Sequence, residues 1–323
     1  MIFSNLYNDA LLQPGKEGAD HLKIISGYAT AAMAFHHLEE LKQQNIKISI
    51  SLLVGMCPSD GLSFSNHRGF QSITSSVYSE CFSCSYVYNK PPVHSKLYIW
   101  YKADIFYRAF IGSPNYTQNA FSKNQREILS EVYDSSVSKY YNLIEKDSIY
   151  CNHADAEELV KIYNDKNYYR KHPHEDTEVP ILPKTEGLEC IHVSLLSRRT
   201  GEVPRIGGLN WGQRPGREPN QAYLQLSPEI YQKDFFPKKP QHFTVVTDDS
   251  KSFICTRAQK DANGHAIETP HNNSLLGEYF RNRLGLRNGA NVTKNDLLRY
   301  GRTDITFYKF DDENFLMDFS IDG

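Results

Sequence analysis

No stretch of this 323-residue chain approaches the roughly 18–20 consecutive apolar residues that a bilayer-crossing helix needs, so neither a spanning helix nor a membrane partner is expected. The opening MIFSNLYNDALLQPGKEGAD lacks a basic segment followed by an apolar block. No secretory leader is read there, and the cytoplasm is the expected compartment. Cysteine is sparse. Cys57, Cys81, Cys84, Cys151, Cys190 and Cys255 show no disulfide-framework spacing, and the one CxxC (Cys81, Cys84) has no second CxxC or HxxxH to complete a zinc site. The cysteines therefore read as reduced thiols, and neither a metal nor a cofactor is assigned. An excess of charge is also missing, since 36 Lys and Arg against 38 Asp and Glu leave a net of −2.

That small total hides an uneven distribution. Ser194 to Arg302 carries 17 Lys and Arg against 10 Asp and Glu, whereas Thr303 to Gly323 carries one Lys against six acids. Only the face that meets phosphate has to be positive, so a basic stretch beside an acidic end suits a nucleic-acid binder better than the total suggests.

The first half alternates strand-like and helix-like segments. HLKIISGYA, KISISLLVG, SYVYN, VHSKLYIWYK, DIFYRAFIG and REILSEVYD read as strands. AAMAFHHLEELKQQN, a segment near Gly69–Glu80, and SSVSKYYNLIEKDSIY read as helices. Such alternation predicts a layered α/β domain, a mixed sheet flanked by helices, over 1–165. Polar, proline-punctuated NDKNYYRKHPHEDTEVPILPK reads as a helix end and linker, with the linker at 166–185. From 186 to 323, short strands between Gly- and Pro-rich turns (GLECIHVSLL, QAYLQLS, HFTVVTD, SFICTRAQ, DITFYKF, NFLMDFS) predict a mainly-β barrel or sandwich, with helices near Leu275–Leu284 and Lys294–Arg299.

Chemistry concentrates in PPVHSKLYIWYKADIFYRAFIGSPNYTQNAFSKNQREILSEV. Residues i and i+2 of a strand share a face, so His94 and Lys96 point together. An imidazole beside an ammonium is a poor core pair but suits a phosphodiester: histidine attacks phosphorus and lysine neutralises the non-bridging oxygens. Gly112-Ser113-Pro114-Asn115 ends the next strand. Its glycine permits close backbone approach, and its Ser113 hydroxyl and Asn115 amide offer short polar contacts. Glu127 opens a further strand, where its carboxylate could take the second ring N–H of His94 and fix the tautomer.

Together these residues resemble the phospholipase D superfamily, whose signature is HxK, a GSxN turn and a downstream glutamate. Here those are His94-Ser95-Lys96, Gly112-Ser113-Pro114-Asn115 and Asn124-Gln125-Arg126-Glu127, and NYTQNAFSKNQRE is similar to the superfamily's NxTxxAxxxNxE run. The superfamily's usual aspartate, five residues after the lysine, is Tyr101 here; the restriction-endonuclease branch likewise does without it. The chemistry needs two histidines, one to form a phosphohistidine and one to protonate the leaving oxygen and then activate water. Only one HxK occurs, and His172-Pro173-His174 has no lysine. The expectation is a homodimer sharing one site, its two lysines and two asparagines replacing a divalent ion.

The second half resembles the DNA-recognition module of phospholipase D-type restriction endonucleases of the NgoFVII and BfiI kind, a pseudobarrel akin to the plant B-three domain. The resemblance runs through GLNWGQRPGREPNQAYLQLSPEIYQKDFFPKKPQHFTVV and ETPHNNSLLGEYFRNRLGLRNGANVTKNDLLRYGRTDITFYKF. Candidate DNA-reading groups sit in loops: Arg198, Arg199, Arg205, Asn210, Gln213, Arg214 and Arg217, then Arg257, Gln259, Lys260, Asn263, His265 and Asn272. Arginine reads guanine bidentately, and asparagine or glutamine reads adenine. Trp211, Tyr279, Phe280 and Leu284 read as core, while Arg281, Arg283, Arg287 and Lys294 read as a solvated face or as phosphate contacts.

The resemblance implies a type II-like restriction endonuclease that hydrolyses double-stranded DNA at or near a specific sequence. It also implies an ATPase or helicase-like partner for some members, though this chain has no GxxxxGK[ST] loop of its own. Two alternatives stand beside it. A lipid phosphodiesterase or transferase of the superfamily would ordinarily carry two HxK motifs and often an anchor. A non-catalytic DNA-binding regulator would not need the full His94, Lys96, Asn115 and Glu127 set.

Overall fold

The computed structural model describes residues 1–122, 125–163, 187–258 and 264–321. The chain divides into two compact units, Met1–Lys171 and His172–Gly323. The expected linker lies outside the described residues.

The first unit is built on a seven-stranded mixed sheet. Its strands are β1 (His21–Ser26), β2 (Ser49–Val54), β4 (Phe82–Val87), β5 (Leu97–Lys102), β6 (Ile105–Gly112), β7 (Leu129–Val132) and β8 (Ser148–Tyr150). A small separate pair joins β3 (Leu62–Ser63) to β9 (Ile162–Tyr163). The large sheet runs β7-β6-β5-β1-β2-β4-β8. β1, β2 and β4 are mutually parallel, and all other pairings are antiparallel. Apolar residues on one face, including Ile25, Leu53, Val87, Leu97 and Ile99, pack with Tyr141 of the helix Ser136–Glu145. On the other face, the Trp100 indole donates to the Ala10 carbonyl at 2.8 Å, which ties the N-terminal segment to the sheet. The helix Ala31–Gln43 joins this layer through His37, which bonds Leu11.

Three boundaries differ from the sequence reading. The second helix spans Phe64–Thr74 rather than starting near Gly69, because Ser63 caps it by accepting the Asn66 N–H. The run after Ser135 is a helix to Glu145 and then the edge strand β8. His94 and Lys96 lie in an extended segment just before β5, not inside it.

The second unit is a nearly closed, barrel-like sheet: β10 (Cys190–Ser194), β11 (Leu224–Gln225), β12 (His242–Thr247), β13 (Ser252–Ala258), β14 (Ala266–Glu268), β15 (Asp304–Lys309) and β16 (Asn314–Asp318). The order is β10-β15-β16-β12-β13-β14-β11, antiparallel except for β12 with β16. Phe236 centres its core, with ring centroids 5.0–5.3 Å from Phe243, Phe307 and Phe315. The helix Ser274–Arg283 buries Leu276, Tyr279 and Phe280 against this core. The pattern is thus a layered α/β domain, a mixed sheet flanked by helices, followed by a mainly-β, barrel-like domain. Among the described residues, no helix is long and apolar enough to cross a membrane.

Candidate active site

β1 and β2 end where β5 begins, β6 ends and β7 begins, so five chain segments meet at one end of the sheet. Carboxyl ends of parallel strands leave room for a ligand because the chain turns away from the sheet there. The segment bearing His94 is tied to this end by the Val93 N–H, which donates to the Gly55 carbonyl at 2.9 Å.

His94 is exposed and Lys96 is buried beside it. The Lys96 Nζ lies 3.3 Å from His94 Nε2 and 3.4 Å from Nδ1. A point equidistant from both ring nitrogens at that range must lie off the ring plane, since an in-plane position would collide with the carbon edge. The ammonium therefore packs over the imidazole face and leaves the nitrogen lone-pair directions open. Burial lowers the Lys96 pKa, and the Glu127 charge opposes that shift.

Gly112 permits the turn that follows. A Cβ there would collide with the Ile128 carbonyl oxygen, so only glycine lets β6 close on β7 at this point. Ser113 then donates its hydroxyl to the Glu127 carboxylate and accepts the Ile128 N–H at 3.1 Å. This corrects one expectation: Glu127 holds Ser113, not the second ring nitrogen of His94. The reason is local, because the Ser113 N–H also bonds the Ile128 carbonyl at 3.0 Å and so fixes the hydroxyl beside Glu127.

Asn115 is held from two sides. Its Oδ1 accepts the Tyr28 N–H at 3.2 Å, while the neighbouring Pro114 carbonyl accepts the buried Tyr98 hydroxyl at 2.8 Å. A Cβ built on Gly27 would sit 3.4 Å from both Asn115 Oδ1 and His94 Cδ2, which places these two side chains over a glycine floor. The structure thus brings His94, Lys96, Ser113, Asn115 and Glu127 together. Tyr101, at the position of the superfamily's aspartate, donates its hydroxyl to Ser138 Oγ at 2.7 Å. Asn124 lies outside the described residues.

Sequence reasoning missed Ser26, Gly27, Tyr28 and Asp60. Buried Ser26 accepts the Tyr116 N–H at 2.8 Å and donates to the Tyr28 carbonyl at 2.5 Å, joining the two loops. The Tyr28 hydroxyl bonds Asp60. The available signal was a Ser-Gly-Tyr at the carboxyl end of a buried parallel strand, the place where α/β sheets put ligands.

The second unit sorts the predicted reading residues unevenly. Arg199 and Arg205 are exposed; Arg198 is exposed too and paired with Glu229 at 2.9 Å. Exposed Arg214 donates Nε–H to the Ile206 carbonyl at 2.7 Å, and the Arg217 guanidinium lies 3.8 Å from the half-buried Trp211 ring centroid. His265 is half-buried and stacked on Tyr231 at 4.0 Å, and exposed Asn272 accepts the Ser274 N–H. Gln259, Lys260 and Asn263 lie outside the described residues.

Two expectations need correcting. Arg257 is fully buried on β13 and donates to the carbonyls of Tyr231, Gly264 and Phe236. Asn210 is fully buried and bonds both main-chain groups of Val292 at 2.8 Å. Half-buried Gln213 donates to the Pro219 and Gly289 carbonyls. Buried polar groups are kept by the carbonyls that satisfy them, so Arg257 and Asn210 hold loops rather than face solvent, whereas Gln213 stays partly open to it. Arg281 behaves likewise, donating to Ala290, Gly277, Leu209 and Pro219, while Arg283 pairs with Asp248 and Lys294 with Glu202. A cavity of about 620 Å³ opens between Arg198, Arg199, Tyr223 and Tyr231 over a leucine floor.

Among solved structures, the chain is similar to NucT from Helicobacter pylori, at 16% identity and TM-score 0.33, over 46% of this chain and 96% of that one. It is also similar to a polyphosphate kinase from Porphyromonas gingivalis, at 11% identity and TM-score 0.32, over 48% of this chain and 25% of that one. No curated protein sequence matches. Residues 4–158 match the NgoFVII restriction endonuclease N-terminal PLD domain, and residues 184–311 match the NgoFVII C-terminal B3-like DNA-binding domain. Between them these matches take in both units and most of the chain, which belongs to the NgoFVII restriction endonuclease family.

Proposed function

We propose that this chain, a site-specific deoxyribonuclease of the phospholipase D superfamily, hydrolyses duplex DNA through a phosphohistidine and without a metal ion. The observation that carries the proposal is the exposed His94 imidazole packed on a buried ammonium, beside an amide whose oxygen is already engaged. In the first step a ring nitrogen of His94 bonds to phosphorus as one P–O ester bond breaks, and the leaving oxygen takes a proton from the second copy's histidine. In the second step water loses a proton to that same histidine and bonds to phosphorus as the P–N bond breaks. Lys96 and the Asn115 NH2 group stabilise the non-bridging oxygens throughout.

Two copies are required because each supplies one histidine. Ile111 and Ile128 support this arrangement, since both are exposed apolar side chains flanking Ser113 and Glu127, where a second copy would cover them. The reading groups proposed for the second unit are Arg198, Arg199, Arg205, Gln213, Arg214, Arg217 and His265, with Lys260 and Asn263 carried over from the sequence. The cytoplasm is the proposed compartment, and an ATPase subunit is a proposed partner. The test is plasmid cleavage by the purified chain in excess EDTA, with the fragment ends sequenced. Discrete ends at one motif, lost in His94→Ala, support the proposal. Strict dependence on magnesium would sink the metal-free mechanism.

A further inference from the structure

We propose that Tyr28 is a positioning residue for both groups that meet the phosphate, and that Asp60 acts through it; this rests on the nuclease reading above. Tyr28 is anchored at three points. Its N–H donates to Asn115 Oδ1 at 3.2 Å, its carbonyl accepts the Ser26 hydroxyl at 2.5 Å, and its phenol donates to the Asp60 carboxylate. Its ring meets the His94 ring edge-on, with centroids 6.3 Å apart and planes at 83°. The anchors come from separate stretches: the end of β1, the turn after β6, and the short helical turn Cys57–Asp60.

Each contact constrains one reacting group. With Asn115 Oδ1 occupied by the Tyr28 N–H, the amide offers its NH2 side to an anionic oxygen. The ring nitrogens of His94 have no hydrogen-bond partner among the described residues other than Lys96, which lies over the ring face. The imidazole's orientation therefore depends on packing between Lys96, the Gly27 floor and the Tyr28 ring. An untethered tyrosine on an open loop changes rotamer freely, and the Asp60 bond prevents this. Displacing a reacting group by about 1 Å costs on the order of 100-fold in rate.

The experiment measures single-turnover cleavage of plasmid DNA and DNA affinity for variants of the full chain. Tyr28→Ala is expected to slow cleavage about 100-fold while affinity stays within about twofold. Tyr28→Phe and Asp60→Ala are each expected to slow it about 10-fold. The double variant should be no slower than either, because both remove the same bond. Asp60→Asn, which still accepts the phenol, should restore most of the rate. Additive single effects would overturn the proposal. So would a Tyr28→Ala enzyme with weakened DNA binding and an intact cleavage rate, which would make the ring a DNA contact. If Tyr28→Ala folds poorly, the Tyr28→Phe and Asp60 comparison still decides. A wild-type chain that leaves DNA intact overturns the nuclease reading and this proposal with it; a wild type that cuts, with unaffected Tyr28 and Asp60 variants, overturns this proposal alone.

Discussion

The loop Gly207–Gln221 meets two kinds of arginine. Arg281 reaches it from the helix Ser274–Arg283, fully buried, and donates to Leu209 and Pro219. Arg217 sits on the loop itself, exposed, with its guanidinium stacked on Trp211. Many basic side chains elsewhere in the second unit are ion-paired, as Arg283, Lys294, Arg299 and Arg302 are. Among the described residues Arg199, Arg205 and Arg214 stand in no ion pair, and Arg217 bonds the Gln221 amide oxygen at 2.9 Å while the Glu268 carboxylate acts on it only at longer range. An unpaired guanidinium on a loop pinned from behind has little ordering cost left when it meets phosphate. Burial and pairing, rather than residue type, separate the arginines that build the domain from those available to DNA.

The sharpest way to test that separation sets the first unit against the second. His94→Ala removes the proposed nucleophile from an exposed position, so cleavage should fall by about 10⁴-fold or more with an unchanged melting temperature and unchanged DNA binding. Arg281→Ala should do the reverse. Losing a cation that satisfies four carbonyls should cost about 3–5 kcal/mol of second-unit stability, read by denaturant unfolding, and DNA binding should fail with folding. An Arg281→Ala variant of native stability that merely binds DNA less well would show that the buried arginine is not a staple, and the comparison would break.

A second contrast uses pH. His37 is fully buried, its Nδ1 facing the Tyr116 hydroxyl at 2.8 Å and its Nε2 the Leu11 carbonyl at 3.0 Å. A carbonyl only accepts, so Nε2 carries the proton and Nδ1 accepts from the phenol. Burial pushes its pKa down to about 3, against the pull of the Leu11 bond. Between pH 6.5 and 3 the unfolded chain therefore binds a proton that the folded chain refuses. The stability contribution is complete above about pH 6.5 and declines as pH falls towards 3, by on the order of 4 kcal/mol. The first unit of a His37→Gln variant should show a shallower loss of stability over that window, and an identical slope would exclude His37 as its source.

How much was legible in the sequence follows from chain distance. His94, Lys96, Ser113, Asn115 and Glu127 all lie on or beside β5, β6 and β7, which are consecutive antiparallel neighbours, so sequence order and spatial order coincide. Tyr28 and Asp60 reach the same site from β1 and from beyond β2, and no local spacing records that. Pattern reading located the fold layers because buried strands and helices have periods of their own. It misplaced Arg257 and Asn210 because burial of a polar side chain depends on carbonyls such as Tyr231 and Val292, which are distant in sequence. Glu127 went astray over a single choice of partner, between an imidazole and a hydroxyl.

The exposed arginines should give smaller effects, and these grade the surface. Arg217→Ala removes one cation from the loop, so DNA affinity should drop by about 1 kcal/mol and the slope of log affinity against log salt should flatten by close to one phosphate contact. Arg198 differs because it already holds Glu229 in a solvent-exposed ion pair. Meeting phosphate would mean giving up that carboxylate, so Arg198→Ala should weaken binding less than Arg217→Ala does. Glu229→Gln, which frees the guanidinium, should tighten binding slightly at low salt and lose that gain as salt rises. Equal losses from Arg198→Ala and Arg217→Ala would mean that pairing does not sort this surface, leaving burial as the only criterion.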